Sequence, residues 1–591
     1  MSSKVSMTIL AEWAKRIVWI LFAVIIGYLL IASIFSTCYL GSYSYITASQ
    51  TTEINVEHTF YVRDNYIQHI IVFAVFSLLL IVIKADKLRK ILLNKYFPIA
   101  VCAAIGVLSV LIVLAGQYYP KFDQFHVIEA AARLNENVYS DFDAGEYLFV
   151  FPFQTGTVLY FRLLSAIFGN MNYVAFQLVN CLWIALAYFF FAEIAEILWG
   201  GVQGECPYKT NAAFIGLLFL PYLLYATFLY GTVVGMAFSL LSVYMMLLYE
   251  RSTKVYYLVI CGLSMGIATV VKSNYMIFMI AEIIYLLLKL MSDRAAGFKK
   301  AFPKIILMIV ILGCFMVGRF GVDAYIRSVN AGAEVKGIPM TAWIAMGLQD
   351  GKAAPGWYNG YNNGVYIENG FDYEKTSAAV VDEIKRIVSG YSKDIQTSIS
   401  FFVKKVSSQW NNPTFQSLWI LESRDGRNGL AWLLQGNGRY LYILWVNLLQ
   451  TWVLAGTFLY AVIRFKKSSI EEIILPITFV GGFVFHIFWE AEGLYAILYF
   501  PLLLPLCICG YGEWRNRLLA VKNEFASDGW KTERAGAMKK RIIICVTAVI
   551  IICALSYTDP FAKMFARNEN TGAFNTYTQE TVNELDALPG Q

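Results

Sequence analysis

The chain predicts an all-α, polytopic membrane protein of about thirteen transmembrane helices, and three observations carry that expectation. Apolar residues make up 58% of its 591 positions and charged residues only 15%, against about 25% charge in soluble domains. Uncharged apolar runs of roughly 20 residues, enough to cross a ~30 Å hydrocarbon core as helix, recur along the sequence. Lysine and arginine gather in alternate connecting segments, as cytoplasmic loops require. A mean hydropathy of +0.56 agrees, and the composition excludes a soluble enzyme, a disordered chain and a nucleic-acid-binding domain.

Residues 17–36 contain no charge and follow Lys15 and Arg16, so they read as an uncleaved first span with its N-terminus inside. Further spans are expected at 69–84, 97–118, 173–198, 212–230, 233–249, 256–271, 275–290, 305–320, 439–463, 471–489, 494–512 and 541–557. Segment 148–169 is also apolar, and counting it as a span would invert everything after it. Without it, 27 of the 47 Lys and Arg fall in cytoplasmic segments, and 13 of the rest lie in the single long stretch 319–439, where charge has little influence on orientation. With Pro152, Gln154, Thr155, Gly156 and Arg162 in it, 148–169 therefore reads as a helix lying in the outer interface.

The resulting organisation has five parts: an N-terminal helical pair (1–96), a membrane core (97–320) with outer loop 119–172, an outer segment (321–437), C-terminal membrane helices (438–557) and a polar tail (558–591). The outer segment is expected to be mainly helical. It begins with an irregular, Gly-, Asn- and Tyr-rich stretch at 337–370 and continues as two amphipathic helices broken near Gly390.

Cofactor signatures are missing. The ten cysteines include no CxxC and the four histidines no HExxH, so neither a disulfide framework nor a zinc site is indicated. No phosphate-cradling glycine motif supports an ATP- or NAD-driven mechanism.

Ionisable groups instead collect at the expected outer ends of spans: Asp123, Lys272, Arg319, Arg439, Glu490 and Glu492. Such groups are costly near a bilayer and mark function by default. Each also has a plainer reading. Asp123 could be an N-cap, Lys272 could snorkel, and the two glutamates could be ordinary loop charges. Asp123 and His126 share one face of the short helix expected from DQFHVIEAAARLNE. Glu282 sits mid-span and reads as a group facing the bundle.

Six stretches follow one another along the chain: KFDQFHVIEAA around Asp123, EYLFVFPFQTG (146–156), PYLLYATFLYGTVVG (221–235), GIATVVKSNYMI (266–277), GIPMTAWIAMGLQ (337–349) and WEAEGLYAILYFPLLLP (489–505). In this order they resemble the C-type superfamily of integral-membrane glycosyltransferases, near family 39 and the protein O-mannosyltransferase-like enzymes, and within them a bacterial branch using polyprenyl-phosphate sugars. The chain departs from the family pattern in its extra N-terminal helical pair, in Thr232 where an acidic residue is common, and in Glu492 where a basic one is common.

The resemblance implies many helices around an outward-opening cavity, interfacial helices in the first outer loop, and an acidic residue there as base or acceptor-binding group. Asp123 would then be the catalytic base. Lys272, Arg319 and Arg439 are candidates for the donor phosphate. His126, Glu146, Tyr147, Tyr230, Trp343, Glu490 and Glu492 are candidates for acceptor or sugar contacts. The expected partners are a polyprenyl-phosphate sugar, a glycan acceptor such as a cell-wall or surface polysaccharide, and the bilayer. No nucleic acid is expected. No cofactor is required, and a divalent cation is compatible. The cell membrane, with the active site facing outside, is the expected location. A lipid-linked sugar flippase or transporter, or a polysaccharide polymerase or ligase, are the alternative readings; a carrier would be expected to show paired repeats, and none is evident.

Overall fold

The computed structural model describes residues 2–46, 53–82, 92–200, 207–293, 298–330, 332, 334–422, 426–434 and 437–528. It is an all-α polytopic membrane protein that carries, among the described residues, one β-hairpin. Among the described residues nine helices, from Ile9–Phe35 to Gly493–Val521, are long and apolar enough to cross a membrane. Tyr208–Leu218 and Leu220–Thr227 make a further crossing bent by 65°, where Pro221 lacks the amide that would continue the ladder. Tyr66–Leu80 and Val255–Val271 are shorter apolar helices. Together these coincide with the first twelve expected spans. The thirteenth, 541–557, and the tail lie outside the described residues.

Segment 148–169 forms three pieces: Tyr147–Val150, a short turn at Pro152–Gln154, and the helix Thr155–Phe168. The last has 14 residues, about 21 Å of helix, too short for the hydrocarbon core. A contact across the chain agrees: the Thr210 hydroxyl donates to the Leu92 carbonyl. Two long helices, Phe97–Gly116 and Tyr173–Trp199, separate these residues, so a third crossing between them would put the pair on opposite faces.

That same end of the bundle collects Lys15, bonded to the Ser468 carbonyl at 3.1 Å, and the buried Arg464–Glu472 pair, which Trp199, Tyr460 and Glu513 join. All come from segments expected on one side. Position in the bundle follows burial. The window of Gly493–Val521 is 83% buried and stands at the centre, whereas that of Ala301–Val329 is 11% buried and lies at the periphery. Glu282 does face the bundle, where the Ser242 hydroxyl donates to it at 3.1 Å.

Three expectations are corrected. The N-terminal pair is not helices alone: Ser36–Ile46 and Glu53–Arg63 form an antiparallel hairpin between them. Its edges bond to the outer segment, Cys38 N to Asn411 O at 2.9 Å and Thr59 N to Ala353 O at 3.0 Å. Leu40 packs with Ala353, Ala354, Trp357 and Ala491. The two amphipathic helices, Tyr373–Lys393 and Ile395–Trp410, are present, and the break expected near Gly390 falls four residues later, at Asp394. The Asp394 carboxylate accepts from the Thr397 amide at 3.0 Å, a side-chain cap that starts the second helix. The stretch 337–370, expected irregular, contains the short helices Thr341–Gly347 and Tyr361–Glu368.

Candidate active site

Asp123 opens the helix Asp123–Asn135, and Phe122 precedes it at φ 54° with no side-chain cap. Asp123 is therefore the first helical residue and not the N-cap, which leaves its carboxylate for another partner. That partner is Tyr230, whose hydroxyl donates to Asp123 Oδ2 at 3.0 Å. Burial, reinforced by the Asp123 charge, holds the Tyr230 phenol well above its ordinary range, so it stays a donor. The Gln154 side-chain amide donates in turn to the Tyr230 oxygen.

Lys272 follows the helix Val255–Val271 in extended conformation. Its ammonium lies 4.3 Å from the centre of the Tyr230 ring and 3.4 Å from the Tyr230 carbonyl oxygen. It points inward, toward Asp123 and Glu492, and not out to lipid headgroups. Burial lowers its pKa to about 8, with the Asp123 and Glu492 charges opposing that shift. This one-residue break at Lys272 is held close to the start of the helix Thr155–Phe168. The Thr157 hydroxyl donates to the Val271 carbonyl, and a Cβ on Gly156 would come within 2.0 Å of the Val270 carbonyl oxygen, so only glycine permits this approach.

Opposite stands the connection 489–492. The Tyr495 hydroxyl donates to Glu490 Oε2 at 2.9 Å. Burial pushes the Glu490 carboxyl up to about 7, and the negative charge of Asp123 adds to this while Tyr495 and Lys405 oppose it. Tyr358 lies within electrostatic range of both Glu490 and Asp123. The connection is anchored by Lys405, a group that the sequence did not single out. Fully buried, Lys405 donates to the Trp489 carbonyl at 2.7 Å and to the Gly347 carbonyl. Its aliphatic stem fills the space where a Gly356 Cβ would stand, 2.6 Å from Cδ. Trp343, buried among Phe151 and Phe153, stacks on Trp489 with centroids 6.0 Å apart and planes 1° from parallel. Through Trp489 it supports this wall.

The other expected residues distribute as follows. Arg319 lines a separate cavity of about 620 Å³ between the peripheral helix Phe298–Val329 and the outer segment, with Arg327 and Lys336. Val270 and Ser273, which flank Lys272, form part of its wall. Arg439 is buried, one turn before Tyr442, which packs with Tyr118 and Leu418, and it lines neither this cavity nor the one next described. His126 stacks on Tyr147 at 5.3 Å, and with Glu146 these line a second cavity of about 470 Å³. Among the described residues no three His, Cys, Asp or Glu side chains are grouped to hold a metal ion.

The structure thus brings Asp123, Tyr230, Lys272, Glu490 and Glu492 into one electrostatically connected group. It pairs a carboxylate able to take a proton with an ammonium able to meet an anion. No family model matches the chain, and no curated protein matches it. Among solved structures it is similar to the apo form of the Archaeoglobus fulgidus oligosaccharyltransferase, at 13% identity and a TM-score of 0.37, over 83% of this chain and 60% of that one. The chain thus spans about three fifths of the archaeal protein's length.

Proposed function

We propose that the protein is a membrane glycosyltransferase of the C-type superfamily, moving a sugar from a polyprenyl-phosphate donor to an extracytoplasmic glycan such as a cell-wall or surface polysaccharide. The observation that carries this reading is the Asp123–Tyr230–Lys272 unit, which holds a carboxylate at the hydroxyl and a cation over the ring of one tyrosine. The acceptor oxygen forms its bond to the anomeric carbon as the bond from that carbon to the donor's phosphate oxygen breaks. The hydroxyl proton passes to Asp123, which must stand about 2.6–3.2 Å away in the reacting complex. The phosphate leaves with the bonding electron pair and its charge is met by Lys272, with Arg319 in the neighbouring cavity whose wall includes Val270 and Ser273. The apolar flank of the 620 Å³ cavity, with Phe315, Val322 and Ile326, suits a polyprenyl chain.

The test is reconstitution in proteoliposomes with a panel of labelled polyprenyl-phosphate hexoses and glycan acceptors. Release of polyprenyl phosphate coupled to labelled glycan, abolished by Asp123→Asn, is the expected result. Stable reconstituted protein that consumes no donor in the panel would sink the reading.

A further inference from the structure

The 470 Å³ cavity begins one helical turn from Asp123, at His126 of the Asp123–Asn135 helix, which lines it with Tyr147. It is distinct from the 620 Å³ cavity, and the two share no lining residue. Tyr147, Phe151, Tyr366 and Phe371 supply aromatic surface, and Asn363 and Glu146 supply polar groups. Aromatic walls with a few planar polar side chains bind by apolar contact and fixed hydrogen bonds together, which matches the CH faces and hydroxyl edges of a sugar ring. Gly145, at φ +90°, turns the chain ahead of Glu146, a backbone state that a side chain would strain.

The charge of this cavity is specific. Its lining holds three carboxylates, Glu129, Asp141 and Glu146, and one guanidinium, Arg133. Arg133 is already committed: Nε donates to Asp141 at 2.8 Å, a second nitrogen bonds the other Asp141 oxygen, and a third lies 3.1 Å from Glu129. Apart from the imidazole of His126, which is stacked on Tyr147, no basic side chain of the lining is left over for a phosphate, and Glu146 adds negative charge at the exposed rim. A ligand rich in phosphodiesters would meet like charge here.

We propose that this cavity is the acceptor subsite, and that it takes a neutral or amine-bearing saccharide and rejects phosphodiester-linked polyols. The word acceptor rests on the glycosyltransferase reading; the saccharide site does not. The test uses the full chain in nanodiscs, without donor, and saturation-transfer NMR against three probes: chitotetraose, its fully de-acetylated form, and an oligomer of poly(glycerol phosphate). The first two should bind and the third should not, at low and at moderate salt. Ile367, 60% exposed at the cavity edge, can be enlarged without touching the core. Ile367→Trp should cut saccharide binding at least tenfold, and Glu146→Gln should weaken the amine probe several-fold while sparing the neutral one.

Equal binding of the polyphosphate, no saccharide binding at all, or saccharide binding untouched by Ile367→Trp would each overturn the proposal. The two claims separate cleanly. Saccharide bound at this cavity with no transfer from any lipid-phosphate sugar defeats the glycosyltransferase reading and leaves the site. Transfer to a glycan that Ile367→Trp does not hinder defeats the subsite and leaves the enzyme.

Discussion

Lys272 and Tyr230 are joined twice, ammonium over ring at 4.3 Å and ammonium toward the backbone carbonyl at 3.4 Å. Because the Tyr230 hydroxyl is bonded to Asp123, a displacement of either charged residue is felt by the other through one rigid phenol.

Removal of the carboxylate charge is the first test of that arrangement. Asp123→Asn is expected to keep the fold, since Asp123 is exposed and caps no helix, and to lower transfer by about 10²-fold or more, the scale of losing an acid–base group. A melting temperature within error of the parent, measured beside the rate, separates chemistry from folding.

Tyr230→Phe keeps the ring under Lys272 and deletes only the hydroxyl. A hydrogen bond to a charged group contributes about 1.5–3 kcal/mol, so the transfer rate is expected to fall about 10- to 100-fold. A smaller loss than for Asp123→Asn is required; an equal loss would mean that Tyr230 and not Asp123 handles the proton.

Lys272→Met keeps length and apolar bulk and removes charge. The expected outcome is a raised KM for the polyprenyl-phosphate donor with unchanged thermal stability. A snorkelling lysine would give the reverse, a normal KM with a loosened helix, and steady-state kinetics with a thermal melt tells them apart.

Glu490 should make stability depend on pH. Its folded-state pKa of about 7 stands above the ordinary 4.5, so the folded state binds the proton more tightly and stability falls as pH rises from about 4.5 to 7. Lys405, lowered to about 7 by burial, acts above that window and in the opposite direction. Glu490→Gln is therefore expected to flatten the melting temperature between pH 5 and 7, as followed by differential scanning fluorimetry in detergent.

The sidedness of the bundle is open to labelling. Single cysteines introduced at 199–211 or 513–541, in a variant lacking other reactive thiols, should resist impermeant maleimide on intact cells and react after permeabilisation. Labelling of either segment from outside rejects the assigned orientation.

Much of the fold was legible because a bilayer leaves few choices: about 20 apolar residues in a row are helix or nothing. Asp123, Lys272 and Glu490 were legible for the same reason, as ionisable groups beside such runs. Hairpin 36–63 was not read, although Tyr39, Tyr43 and Tyr45, then Val56, Thr59 and Tyr61, carry the aromatic and β-branched bias of strands; its edges are fixed by partners at 353 and 411 that no local pattern reveals. Lys405 is one of two adjacent lysines on an amphipathic helix, a pattern shared with solvated faces. The signal was its register, four residues after Phe401 and three before Ser408, all three on the buried face. Its two carbonyl partners come from distant segments, and sequence spacing does not encode such a meeting.

The docking of hairpin 36–63 has a consequence for biogenesis. Asn411 donates its side-chain amide to the Ser36 carbonyl across 375 residues of chain. During synthesis at about 5–20 residues per second, the hairpin would wait on the order of tens of seconds with its edges unpaired before that partner reaches the same compartment. An open strand edge exposed for so long is a target for foreign pairing, so the N-terminal segment should depend on a chaperone or on early membrane burial. Pulse-labelled protein is expected to pass from protease-sensitive to protease-resistant at 36–63 only after residue 411 has been made. Protection acquired before then would show that the hairpin closes on something else first.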